Sequence, residues 1–319
     1  MPLSDMTLDE CRVYRPTVAE PADFDDRWAR TLAEAGARDL AVTFTPVEQP
    51  LTVLESFDVT FAGFGGDPIK GWLHVPRSRP DGPLPCVVEY LGYTGGRGFA
   101  HDRVLWATAG YAHFVMDSRG QVCADTPDPH GAAPSTGAFM TRGIESFDSY
   151  YFRRLFTDAV RAVDAASSHP LVDASRIAVL GGSQGGAMTL AVAGLLGDRV
   201  RAAVPDVPFL CHVRRGVEIA AKDPFADVAR YVRARRSVEQ TFTTMSYIDG
   251  VNFAKRATAP ALFGIAMMDE TCPPSTCFAA YNAYAGEKDV RVYEFNDHEG
   301  GQSFFTAEVF AWLDAVMGR

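Results

Sequence analysis

Gly181-Gly182-Ser183-Gln184-Gly185 follows the apolar run Ile177-Ala178-Val179-Leu180 and precedes a helix-forming stretch that begins at Gly186. This is a G-x-S-x-G turn in a strand-turn-helix setting, where a serine sits on a strained bend with its hydroxyl exposed. Small neighbours at Gly181, Gly185 and Gly186 let the two flanking segments approach without clashing. An ordinary glycine turn that happens to hold a serine would show the same five letters, so the remaining chain must supply the partners. A serine hydroxyl is a weak nucleophile until a base takes its proton. Ser183 therefore requires a histidine, an acid to orient it, and N–H donors for the oxyanion.

Two later apolar runs end suitably. Asp269-Glu270 follows residues 263–268, and His298 lies in Asn296-Asp297-His298-Glu299-Gly300-Gly301, just after residues 292–295. The order serine, acid, histidine, each at the C-terminal end of a strand, is that of the α/β-hydrolase arrangement. His298 is the only histidine beyond the acid. Glu270 competes with Asp269, which is favoured because it comes first after the strand. His74 and His113 fall within strands, His101 and His169 beside helix ends, His130 in a proline-rich loop and His212 ahead of the acid, so these read as structural or solvent-facing. Asp297 and Glu299 flank His298 too closely to orient its ring.

One oxyanion donor is the N–H of Gln184, which also opens a helix whose dipole favours negative charge. The second is expected from Gly92-Tyr93-Thr94-Gly95-Gly96-Arg97-Gly98, directly after the strand-like residues 86–91, with the Tyr93 N–H as leading donor. Such a loop could instead cradle a phosphate, but it lacks both G-x-G-x-x-G and a Walker lysine.

The elements that must hold these residues follow from the apolar rhythm. Alternating runs at 57–61 and 69–73 flank a turn-rich segment and predict an antiparallel hairpin. Short buried-type strands at 86–90, 112–116, 177–180, 202–204, 261–266 and 292–295 alternate with helix-like stretches at 102–108, 147–166, 184–196 and 274–285. The expected fold class is α/β: a mostly parallel, doubly wound sheet of the α/β-hydrolase type with an N-terminal antiparallel hairpin. Residues 1–50, with a helix around Trp28, form an extension packed on the body or between subunits. Residues 51–319 form the catalytic domain, interrupted by a small helical cap at about 211–255.

The bulk of the chain excludes several classes. With 319 residues and 47% hydrophobic composition it can build one large core, and its net charge of −10 disfavours nucleic acid and anionic membranes. Met1-Pro2-Leu3-Ser4-Asp5 lacks the basic and apolar regions of a signal peptide, and no run approaches the ~18 apolar residues of a membrane span. Cys11, Cys86, Cys123, Cys211, Cys272 and Cys277 read as buried thiols rather than a disulfide framework. The spacing of Cys272 and Cys277 fits no zinc pattern, so neither metal nor cofactor is expected.

Several strings then become legible together. The Gly92–Gly98 loop, Asp117-Ser118-Arg119-Gly120-Gln121, Met140-Thr141-Arg142-Gly143-Ile144, Gly182-Ser183-Gln184-Gly185, Val207-Pro208-Phe209-Leu210-Cys211-His212, Met268-Asp269 with Cys272-Pro273-Pro274-Ser275-Thr276, and His298-Glu299-Gly300-Gly301 stand in order from about residue 51 almost to the C-terminus. They resemble the acetyl xylan esterase and cephalosporin C deacetylase family, with its R-G-Q, G-x-S-Q-G and H-E signatures. The resemblance implies a cytoplasmic, metal-free deacetylase of small acetylated sugars and related esters such as cephalosporin C, often hexameric. It implies Ser183 as nucleophile, Asp269 as acid, His298 as base, and Tyr93 and Gln184 as oxyanion donors, with Tyr93, Pro224 and Thr271 near the acetyl pocket. Arg119 and Gln121 read as scaffold, Arg119 bracing loops through its planar five-donor head.

The chain departs from the family pattern in two places. The segment between Gln121 and Met140 is short and lacks tryptophan, and Thr271 stands where an apolar residue is expected, which bears on specificity rather than on the triad. Rival readings are a lactonase or peptidase of the same fold, although no propeller-like segment precedes the catalytic region, and a non-catalytic scaffold.

Overall fold

The computed structural model describes residues 5–130 and 137–319. The opening residues 1–4 and the centre of the short segment between Gln121 and Met140, residues 131–136, lie outside the described residues.

A capping box starts α1 (Leu8–Val13): the Glu10 N–H donates to Thr7 Oγ1, and the Thr7 N–H donates to Glu10 Oε2 at 2.8 Å. Next, α2 (Phe24–Gly36) buries Phe24, Trp28, Thr31 and Ala35 at the helical spacing of one face. Trp28 packs edge-on against Phe147 and Phe253 and donates from Nε1 to the Tyr247 carbonyl at 2.8 Å. Trp28 therefore anchors α2 on the body of the same chain.

Three antiparallel strands follow, β1 (Thr43–Val47), β2 (Leu54–Ala62) and β3 (Pro68–Pro76). The rhythm then changes to β4 (Leu84–Tyr90), α3 (Leu105–Thr108), β5 (Ala112–Met116), α4 (Tyr151–Ser167), β6 (Val172–Gly182), α5 (Gln184–Leu196) and β7 (Ala202–Asp206). A helical stretch comprises α6 (Val213–Ile219), α7 (Phe225–Arg235), α8 (Val238–Ser246) and α9 (Gly250–Ala254). The chain closes with β8 (Ala261–Ala266), α10 (Pro274–Ala283), β9 (Lys288–Tyr293) and α11 (Gln302–Met317).

The strands form one sheet in the order β1-β2-β3-β5-β4-β6-β7-β8-β9, parallel from β5 to β9. Its central strands are buried on both faces because helices cover them, which is why β8 reads as an unbroken apolar run. This is the α/β-hydrolase fold. No helix among the described residues is long and apolar enough to cross a membrane.

Some boundaries differ from expectation for local reasons. The stretch expected as a helix from 102 shortens to α3 because Asp102 Oδ2 accepts the Phe99 N–H at 2.7 Å and holds a turn. α4 begins at Tyr151 rather than 147, since Ser149 Oγ donates to the Gly143 carbonyl at 2.8 Å and keeps 143–149 in turns. β9 starts at Lys288 and ends at Tyr293, so the apolar run at 292–295 marks only its end. Lys288, Asp289 and Arg291 protect this edge strand and disguise its beginning. The cysteines are all free and five are buried, but Cys123 is exposed in the loop after Gln121.

Candidate active site

β6 delivers the chain to Ser183, whose φ of 56° and ψ of −118° lie where few side-chain-bearing residues are found. Two backbone bonds pin this strained residue: its N–H donates to the Asp206 carbonyl at 2.9 Å, and its carbonyl accepts the Phe209 N–H at 3.0 Å. Close approach explains the glycines. A Cβ on Gly185 would lie 2.3 Å from the Tyr90 carbonyl oxygen, and one on Gly181 would lie 2.6 Å from it.

Asp269 follows β8 and His298 follows β9, and the parallel order of β6, β7, β8 and β9 brings both loops to the elbow. His298 Nε2 lies 2.9 Å from Ser183 Oγ, and Nδ1 lies 2.8 Å from Asp269 Oδ2. A carboxylate only accepts, so Nδ1 carries the hydrogen and the Nε2 lone pair faces the serine. Asp269 is buried, and its Oδ1 accepts the N–H groups of Thr271 and Cys272 at 2.8 Å each. Burial alone would push the His298 imidazole down, but the hydrogen bond and charge of Asp269, with Asp297 and Asp206 behind them, turn the net shift upward.

The competing acid is placed elsewhere. Glu270 Oε2 lies 2.7 Å from Lys222 Nζ, and the Glu270 N–H donates to Asp297 Oδ1 at 3.2 Å. The other histidines have local partners: His74 with Ser56 at 2.8 Å, His113 with Glu89 at 2.9 Å, His130 with Asp67 at 2.8 Å and His212 with Tyr14 at 3.3 Å.

Gln184 opens α5 beside Ser183, and Tyr93 lies in the glycine loop after β4. Among the described residues, neither of their backbone N–H groups takes part in the turn and loop bonds. Side-chain amides tie the two segments together. Gln121 Oε1 accepts the Thr94 N–H at 2.6 Å, and Gln121 Nε2 donates to Gln184 Oε1 at 2.7 Å and to the Tyr151 hydroxyl at 2.9 Å. That hydroxyl donates in turn to the Arg119 carbonyl at 2.7 Å. The Arg119 guanidinium is fully buried and makes a bidentate pair with Asp158 at 2.5 and 2.8 Å, adding Asp67 at 2.9 Å. Burial would lower its pKa, but these carboxylates raise it.

Pro224 is buried just ahead of α7, after a cis Asp223–Pro224 bond, and two residues before it Lys222 pairs with Glu270. The half-buried Thr271 sits beside Asp269 through its N–H. Sequence reasoning passed over two residues at the elbow. Asp206, at the C-terminal end of β7, is a half-buried residue whose Oδ1 is sealed from solvent and finds no hydrogen-bond partner among the described residues. Burial is the main cause that pushes its carboxyl up to about 7, against the attraction of His298. Its position at a strand end was the available signal. The buried Cys272 is the other: it offers its sulfur to the cluster it forms with Asp269 and His298, whose ligand atoms lie within 4.8 Å of one another, and it carried no signal beyond its spacing from Asp269.

The model of the acetyl xylan esterase family matches residues 1–316. The chain belongs to that family. An acetyl xylan esterase from Paenibacillus sp. R4 is 40% identical, with 97% of this chain and 99% of that one covered and a TM-score of 0.93. Acetyl xylan esterase 1 from Thermoanaerobacterium sp. JW/SL YS485 is 31% identical over 98% and 99% of the two chains, with a TM-score of 0.90. The acetyl esterase Axe7A of Xylanibacter ruminicola is 28% identical over 294 residues, which span 90% of this chain but 65% of that protein. At 17% identity and a TM-score of 0.62, an acylaminoacyl peptidase of Pyrococcus horikoshii shares the fold alone.

Proposed function

We propose that this member of the acetyl xylan esterase family is a serine esterase that removes acetyl groups from acetylated xylo-oligosaccharides and related small acetyl esters, cephalosporin C among them. The observation that carries the reading is the unbroken line from Asp269 through both nitrogens of His298 to Ser183 Oγ, at 2.8 and 2.9 Å. The names of its relatives, acetyl xylan esterases and an acetyl esterase, support the substrate class.

His298 takes the proton of Ser183 as Oγ attacks the acetyl carbonyl, and Asp269 holds Nδ1–H and offsets the imidazolium charge. The N–H groups of Tyr93 and Gln184 donate to the oxyanion, each worth about 3 kcal/mol in the transition state. The tetrahedral species collapses, His298 gives its proton to the departing sugar oxygen, and an acetyl group remains on Ser183. Water then attacks with His298 again as base, releasing acetate and restoring the serine. Tyr93, Pro224 and Thr271 border the acyl pocket, residues 211–255 form the cap above it, and Arg119 and Gln121 brace the loops beneath. The chain works in the cytoplasm as a homohexamer, with the extension of residues 1–50 packed on the body or between subunits.

The test pairs p-nitrophenyl acetate with its butyrate and octanoate homologues. Acetate is expected to be released fastest, and equal rates on the longer chains would refute a small acyl pocket. Ser183→Ala is expected to abolish turnover and labelling by a serine-directed organophosphate. Retention of full activity by that variant would refute the nucleophile. Sedimentation velocity tests the hexamer.

A further inference from the structure

Beyond β7 the chain runs as a strap, residues 207–212, that is strained at three places. Val207, Leu210 and His212 have φ of 35°, 57° and 43°, left-handed values that side-chain-bearing residues adopt rarely and a β-branched valine least of all. Such conformations persist only where bonds from the surroundings over-determine them. The near end of the strap rests on the elbow. The Val207 N–H donates to the Gly264 carbonyl at 2.9 Å, and the Phe209 N–H donates to the Ser183 carbonyl at 3.0 Å. A Cβ on Gly186 would lie 2.9 Å from Pro208 Cα, so the strap lies directly on the first turn of α5.

The far end is held by one carboxylate. Asp249 is 1% exposed, and its Oδ1 accepts the N–H groups of His212 and Val251 at 2.9 Å each, while Oδ2 accepts the Val213 N–H at 2.8 Å. The next residue adds a fourth bond, from the Gly250 N–H to the Leu210 carbonyl at 2.7 Å. A Cβ on Gly250 would lie 2.7 Å from Cys211 Sγ, which explains the glycine. Lys255, whose charge favours the ionised form of Asp249, is paired with Glu20 at 2.6 Å. A cavity of about 410 Å3 separates Asp249 from Glu239 and from Arg214, which donates to Glu218 at 2.5 Å. His212 faces Tyr14 at 3.3 Å, and the Cys211 thiol is buried beside the carboxylate. Three N–H groups rather than a cation therefore hold its charge. Burial still pushes the carboxyl up to about 6.

We propose that Asp249 is a positioning residue for the nucleophile: by fastening the far end of the strap it fixes the Phe209 N–H on the Ser183 carbonyl and keeps Oγ aligned with His298. Only the carboxylate can serve all three N–H groups, because a protonated acid or an amide turns a donor toward one of them. Loss of the charge therefore frees the strap, and the elbow loses its brace. The effect on turnover rests on the reading of Ser183 as nucleophile, whereas the hold of Asp249 on the strap does not.

The experiment measures kcat and KM for p-nitrophenyl acetate on the native chain and on Asp249→Asn across the acid and neutral range. At high pH the variant should show a kcat about tenfold lower, the cost of a small misalignment, with KM within about twofold. The amide imitates the protonated acid and the titration of His298 is common to both proteins, so the native-to-variant ratio of kcat should close toward unity as pH falls through about 6. A ratio that stays constant with pH, or a change confined to KM, overturns the proposal. Where circular dichroism shows that Asp249→Asn does not fold, the native chain decides, through hydrogen–deuterium exchange followed on peptides covering 207–213 and α5. Corrected for intrinsic rates, protection of 207–213 should drop about tenfold one pH unit below the midpoint while that of α5 holds. Protection of 207–213 that does not respond to pH overturns the proposal. A chain inactive on p-nitrophenyl acetate refutes the esterase reading, and the exchange result then decides the hold of Asp249 on the strap.

Discussion

Lys222 Nζ lies 2.7 Å from Glu270 Oε2, so a cation in the helical stretch between β7 and β8 holds the residue next to Asp269. The same ammonium stands 3.8 Å from Asp297 Oδ2, next to His298. One side chain thus bridges the loops that carry the acid and the histidine.

Lys222→Met should loosen this rim without touching the reacting groups. The ion pair is solvent-exposed and screened, so the effect is modest: about a two- to threefold rise in KM with kcat nearly unchanged. Steady-state kinetics over a NaCl series checks it. Salt should raise the KM of the native chain toward that of the variant, and Lys222→Arg should restore the native value. A KM insensitive to both salt and substitution would rule out the bridge.

The upward shift of His298 sets the acid limb of the pH profile. The imidazole must be neutral to act as base, so kcat/KM should fall as pH drops through a midpoint above 6.5, the ordinary histidine value. Asp269→Asn removes the main upward influence, so the midpoint should move down while kcat falls by about 10^4-fold. A pH profile of both proteins on p-nitrophenyl acetate decides this, and an unmoved midpoint would count against Asp269 as the orienting acid.

Asp206 makes a separate prediction about stability. Its folded carboxyl sits near 7 against an ordinary 3.8, so the folded state holds this proton more tightly than the unfolded one. Its protonated form is therefore favoured below the ordinary value, and that advantage is lost as pH rises through about 7. Asp206→Asn, which cannot ionise, should gain stability relative to the native chain between pH 5 and pH 8. Urea denaturation at the two pH values measures the gain, and a pH-independent difference would exclude the buried ionisation.

Arg119→Gln should cost about 3–5 kcal/mol, because it leaves Asp158 buried without its bidentate partner. Thermal and urea unfolding report the loss. Arg119→Lys should recover only part of it, since a point charge cannot match both carboxylate oxygens. A loss below about 1 kcal/mol in Arg119→Gln would show that the pair contributes little to the fold.

What was legible in the chain was local. Ser183 stood out because the elbow needs glycines at 181 and 185, where a Cβ would strike the Tyr90 carbonyl. Asp269 and His298 stood out because short apolar runs end immediately before them. The charged edge of β9 hid its beginning, and the turn held by Asp102 shortened a stretch of good helix formers. The contacts of Lys222 with Glu270 and Asp297, and the nearness of Asp206 to His298, depend on segments that meet only after the sheet is assembled. No spacing rule encodes them. The C-terminal helix α11 was also passed over, since exposed Phe304 and half-buried Phe310 and Trp312 blur the stripe of Phe305, Val309, Leu313 and Met317 that it buries.

The amide of Gln121 touches the Thr94 N–H with its oxygen and the Gln184 side chain with its nitrogen. It therefore works as a spacer of fixed width between two stretches of chain that are far apart in sequence. Together with the Gln184 side chain, whose Nε2 donates to the Leu91 carbonyl at 3.2 Å, it ties the glycine loop to the elbow. Farther along the same segment, the buried side chain of Asp128 is held by Arg119, Arg142 and Arg154, which pins the stretch beyond Gln121 at a second point. Changes to the chain that keep Gln121 and Asp128 in place leave this tie between loop and elbow standing.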